Sequence, residues 1–115
     1  MISYEKFIEK RHRFAHGDGF EVENLPSFLF PFQEYLVRWA LQKGRAAIFS
    51  DCGTGKTAMQ LAFANECIRR ENKPALICTP LAVGAQVLLE SEKFGIEASR
   101  SRDGKCDGAK IWITN

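Results

Sequence analysis

The run Ser50-Asp51-Cys52-Gly53-Thr54-Gly55-Lys56-Thr57 brings together the groups that grip a chain of phosphates. Its spacing is G-x-x-x-x-G-K-[ST], with Ser50 in place of the first glycine. Gly53 and Gly55 lack Cβ, so the backbone can turn until successive N–H groups point at one anion. Lys56 would set a positive charge against the β- and γ-phosphates of a nucleoside triphosphate. The Thr57 hydroxyl would complete the shell of a Mg²⁺ ion that keeps several waters. Lys56 and Thr57 are the candidate catalytic residues. Residues 50–58, through Ala58 in the first helical turn, are the candidate cofactor cradle.

Such a loop works only at the junction of a strand and a helix, and both flanks are legible. Arg45-Ala46-Ala47-Ile48-Phe49 is short and mostly apolar, which predicts a buried parallel strand. Thr57 to Arg70 contains helix formers, no Gly and no Pro, and ends on Arg69-Arg70, which suits a helix C-terminus. The helix would aim its positive dipole end at the anion. Upstream, PFQEYLVRWALQKG from Pro31 reads as a helix with Pro at its start and Gly44 just past its end. Its apolar stripe is expected to use Phe32, Leu36, Trp39 and Ala40, with Val37 beside them. Downstream, Ala75 to Thr79 reads as a strand ended by Pro80 and Ala82 to Phe94 as a helix. Ile96 to Ser99 and Lys110 to Thr114 read as further strands, with a polar loop from Arg100 to Ala109 between them. Alternating strands and helices predict a parallel α/β sheet with its ligands at the carboxyl ends of the strands.

Residues 1–30 are less regular. Ile2 to Phe14 is expected to be a short helix carrying a basic Arg11-His12-Arg13 patch, and Phe20 to Glu23 a short strand. The 115 residues are 45% hydrophobic and 26% charged with a net charge of +2, the composition of one soluble domain. No apolar run is long enough for a membrane span, and the start lacks an apolar signal core, so the expected location is cytoplasmic. Cys52, Cys67, Cys78 and Cys106 show no metal-binding spacing, and Cys67 and Cys78 read as small core residues.

Taken in order, Phe30-Pro31-Phe32-Gln33, a helix, and the Gly-rich loop resemble the opening of a superfamily 2 helicase or translocase. The nearest flavour is that of the phage-type and Swi/Snf-type relatives of the DEAD/DEAH-box ATPases. The likeness runs from about residue 25 to Asn115. It implies a three-layer P-loop NTPase of RecA-like fold with a parallel sheet, truncated before the Walker B strand. Residues 1–30 would be an N-terminal extension and residues 31–115 a partial ATP-binding domain. Gln33 would read the adenine edge of ATP, since an amide offers a donor and an acceptor side by side. Ala75-Leu76-Ile77-Cys78-Thr79-Pro80-Leu81 resembles motif Ia, and Ile111-Trp112-Ile113-Thr114-Asn115 resembles motif Ib. The resemblance implies that Thr79, Pro80 and Thr114 contact a nucleic-acid backbone, of DNA rather than RNA. Such contacts position a strand without reading its bases. Arg100, Arg102, Lys105 and Lys110 could add attraction, but interleaved Asp103 and Asp107 favour a merely solvated loop.

The family's hydrolytic Asp-Glu pair is missing. The aspartates are Asp18, Asp51, Asp103 and Asp107, and none follows an apolar strand. The expectation is therefore the ATP- and Mg²⁺-binding first half of a motor domain, unable to hydrolyse ATP alone. A second half would complete it. A non-catalytic nucleotide-binding module and a small kinase are the alternatives. A GTP switch is disfavoured, because Asn72-Lys73-Pro74-Ala75 has Ala where the guanine reader needs Asp.

Overall fold

The direction of the sheet is decided at Asn72. It takes the left-handed conformation at φ 53° and closes the second helix by donating its N–H to the Ile68 carbonyl at 2.7 Å. The chain then turns back within three residues. The computed structural model describes residues 3–6, 19–49, 55–101 and 103–115. Residues 50–54, Arg102 and most of the expected N-terminal helix, with its basic patch, lie outside them. In chain order the elements are α1 (Pro31–Lys43), α2 (Lys56–Glu71), β1 (Ala75–Cys78), α3 (Leu81–Lys93), β2 (Ala98–Arg100) and β3 (Ile111–Thr114).

The strands form one parallel sheet in the order β1-β3-β2. Ala75 pairs with Ile111 and Cys78 with Thr114, while Ala98 also pairs with Ile111. Side chains alternate across a strand, so this register gathers Ile77, Ile111 and Ile113 on one face. All three are buried against Leu61 and Ala64 of α2 and Val87 of α3. The opposite side of α2, with Ala58, Met59 and Ala62, packs on Val37 and Leu41 of α1. The stack is thus sheet, then α2 and α3, then α1. Leu76, Trp112 and Ser99 share the other face of the sheet in register, and no described helix covers them. The expected three layers, with helices on both faces, are not met among the described residues. What stands is a small α/β fold with a three-stranded parallel sheet.

Residues 19–30 join the core beside α1. Phe20, Val22, Leu25 and Phe28 pack against it, and Phe28 stacks on Phe94 with centroids 4.2 Å apart. Arg38 fastens this stretch to α1 by donating to the Val22 carbonyl while pairing with Glu34 at 3.0 Å. The expected strand Phe20–Glu23 is absent. Its Phe20 N–H donates instead to the Leu41 carbonyl at the end of α1, at 2.9 Å, so no neighbouring strand holds it.

Three further expectations change. Arg45–Phe49 forms no strand; Ala46 and Ala47 are exposed and Phe49 is 96% exposed. The place where it could pair is the free edge of β1, beside which Ala46 and Ile48 lie, but no ladder forms there. The stripe of α1 is rotated: Gln33, Val37, Ala40 and Leu41 are buried while Phe32 is exposed. Cys67 is half-buried, but Cys78 is exposed, because it points to the face of β1 that no described helix covers. Among the described residues no helix is long and apolar enough to cross a membrane.

Candidate nucleotide and nucleic-acid site

Gly55 opens α2 in the left-handed conformation at φ 75°, which only glycine adopts cheaply. Its missing side chain matters for space as well as for backbone. A Cβ there would run into the amide nitrogen of Gln33. Gln33 is 3% exposed, and its Oε1 accepts the Phe30 N–H at 2.9 Å. That bond satisfies an orphan donor at the start of α1. The structure therefore brings Gln33 against the last glycine of the loop, with its oxygen already engaged in capping the helix.

Lys56 and Thr57 are the first two residues of α2; Lys56 is exposed, Thr57 half-buried and Ala58 buried. The first bond inside this helix runs from the Met59 N–H to the Gly55 carbonyl at 3.2 Å. The N–H groups of Lys56, Thr57 and Ala58 consequently find no acceptor within α2. No carboxylate lies in the first turn, so its positive end is uncompensated by the helix itself. Ser50, Asp51, Cys52, Gly53 and Thr54 lie outside the described residues. Among the described residues no cluster of three His, Cys, Asp or Glu side chains gathers. A Mg²⁺ ion at Thr57 would take its remaining ligands from phosphate oxygens and water.

The short turn at 72–74 makes α2 antiparallel to β1. Lys56 therefore starts its helix at the carboxyl end of the sheet, where parallel α/β folds bind their ligands. Thr79, Pro80 and Thr114 lie at that same end. The Thr79 N–H donates to the Thr114 carbonyl at 2.9 Å and extends the ladder one residue past β1. Both threonines are half-buried, and Pro80 caps the start of α3 in an extended conformation. The two expected backbone-contacting threonines are thus brought together by main-chain pairing.

The basic residues of the 100–110 stretch separate into different settings. Lys105 is exposed. Lys110 lies over the Trp112 ring at 4.5 Å and contacts the Ser99 hydroxyl at 3.1 Å on the uncovered face. Arg100 is the last residue of β2, half-buried, and on the helix-covered face beside α3. Its place in a strand end, rather than in the loop, follows from strand pairing that the local polar composition conceals.

A groove of about 430 Å³ runs along the free edge of β1, walled by Val37, Ile48, Met59, Phe63 and Leu76, with Lys56 at one end. Its lining is mostly apolar and offers no set of converging polar groups. Among the described residues it is a sheet edge with no neighbouring strand. Burial pushes the Cys67 thiol in this groove up, and the neighbouring Glu66 and Glu71 carboxylates add to the effect. The thiol form is therefore kept near neutral pH, which makes Cys67 a poor nucleophile.

The chain gives no significant match to any protein-family model, to any curated protein or to any solved structure.

Proposed function

We propose that this chain is the ATP-binding portion of an ATP-dependent nucleic-acid helicase or translocase. The observation that carries the reading is the junction at Gly55. A left-handed glycine with no room for a side chain delivers Lys56 and Thr57 to the first two positions of a helix at the carboxyl end of a parallel sheet. Lys56 would contact the β- and γ-phosphates, and the first-turn N–H groups, which have no acceptor within α2, would bind the same anion. Thr57 would hold Mg²⁺, and Gln33 would read the base after giving up its buried bond to the Phe30 N–H. Bound ATP would supply the phosphoanhydride whose cleavage drives a motor. This chain holds no Asp-Glu pair to place Mg²⁺ and water for that step, so it would bind without hydrolysing. Thr79, Pro80 and Thr114 would rest on a nucleic-acid backbone.

Melting of the purified chain with ATP and Mg²⁺ tests the reading. At a hundredfold excess over Kd, ligand stabilises by about 2.7 kcal/mol. Lys56→Ala should abolish that shift, since the charge-assisted phosphate contact is gone. An equal shift in the variant, or none in the parent with any nucleoside triphosphate, would overturn it.

A further inference from the structure

Gly84 sits in the first half of α3, where glycine weakens a helix relative to alanine. Its surroundings supply a reason. A Cβ at Gly84 would collide with the guanidinium of Arg100 and touch the Thr79 hydroxyl at 3.4 Å. The atom it would meet is the far end of a flexible side chain, so an added methyl would push the guanidinium aside rather than break the helix. Among the described residues Arg100 makes one polar contact, a long 3.4 Å bond from Nη2 to the Leu81 carbonyl. No carboxylate among the described residues pairs with it. Asp103, the acidic residue nearest in sequence, accepts the Lys105 N–H at 3.1 Å instead. The helix beside Arg100 also presents its positive end, which a lone cation disfavours.

The platform under this group is firm. Ser101, next in the chain, is buried, donates its N–H to the Ile113 carbonyl at 2.9 Å, and donates its hydroxyl to the Lys105 carbonyl at 2.9 Å. Thr79 is held by its bond to Thr114. The ends of all three strands therefore meet at one spot. There they present a guanidinium without a counter-ion among the described residues, a hydroxyl and a bare Cα. A planar guanidinium beside a hydroxyl matches the non-bridging oxygens of a phosphodiester.

We propose that Arg100 and Thr79 together hold one backbone phosphate of a single-stranded nucleic acid, with Gly84 providing the room. This rests on the nucleic-acid half of the reading above and adds Arg100 and Gly84 to it. Contact with phosphate alone would make the site indifferent to base sequence.

The test is the salt dependence of binding of a labelled single-stranded DNA of roughly twenty nucleotides, read by fluorescence anisotropy on the full chain. Arg100→Ala should weaken binding about tenfold or more and lower the slope of log K against log salt by roughly 0.7. Arg100→Lys should keep the slope while losing part of the affinity. Gly84→Ala should weaken DNA binding by displacing the guanidinium, less than Arg100→Ala does, without lowering the melting temperature. That pair of results separates a binding role from a packing one and survives if Arg100→Ala fails to fold. An unchanged slope in Arg100→Ala would overturn the proposal, as would full binding by Gly84→Ala. A melting shift with ATP that disappears in Arg100→Ala would assign the guanidinium to the nucleotide and also overturn it. Binding of ATP without binding of DNA would defeat this inference alone. Binding of DNA without any ATP shift would defeat the nucleotide reading and leave this one standing.

Discussion

The two faces of the sheet are built from the same short strands, yet they differ in almost every physical respect. One face carries Ile77, Ile111 and Ile113, all buried beneath α2 and α3. The other carries Leu76, which is 54% exposed, exposed Cys78, and half-buried Trp112 with the Lys110 ammonium over its ring. Side-chain character alone does not separate them, because Leu and Trp are as apolar as Ile. What separates them is a helix lying across the strands. Apolar residues in a strand announce that a face can be buried; the covering element decides whether it is.

The sharpest way to break this contrast is to remove matched side chains from its two halves. Ile113→Ala should cost about 2–5 kcal/mol, the usual penalty for emptying a well-packed position. Leu76→Ala should change stability by about 0.5 kcal/mol or less. Urea unfolding monitored by tryptophan fluorescence checks both, and equal losses would erase the distinction.

A second test concerns what the open side does in solution. Leu76 and Cys78 turn their backbone groups away from β3, since Ala75 and Thr79 donate toward it. An unpaired edge beside an apolar face invites association. The chain should therefore self-associate with rising concentration, and Leu76→Lys should return it toward a monomer. Sedimentation of the unaltered chain as a monomer at every concentration would remove the premise.

The smallest expected effect is a pH dependence. The folded chain keeps the Cys67 proton to higher pH than the unfolded chain does, because its thiol value is raised. The associated stability is complete below the ordinary thiol value of about 8.5 and is lost as pH rises beyond it through the raised value. Cys67→Ala should flatten the alkaline fall in melting temperature. An identical alkaline limb in that variant would show that Cys67 is not its source.

Local signals made much of this fold legible. Pro31 marked the first residue of α1, the absence of breakers marked α2, and Pro74 and Pro80 bracketed β1. Each is a property of the chain within a few residues. Arg45–Phe49 was not legible in the same way. Its composition matches that of β1, but a strand also needs a partner, and pairing is decided far away in sequence. The rotated stripe of α1 failed for a related reason. Gln33 is buried only because Phe30 and Gly55 engage it, and no hydropathy pattern encodes that. At the candidate site, Lys56, Thr57, Thr79 and Thr114 were visible from motif and order. Arg100 was visible only as one basic residue of a solvated loop, because a polar stretch gives no sign that its first residue ends a strand beneath a helix glycine.

Gly19 shows how little material can fix the path of a chain. An added Cβ would overlap the carbonyls of Leu41 and Gln42. The peptide therefore crosses the end of α1 where a Cβ has no room, and the next amide donates to the Leu41 carbonyl there. Even alanine, the mildest replacement, would pry the strap off its post and unseat Phe20 and Val22 behind it. The route of residues 19–30 is set by the absence of a single methyl group.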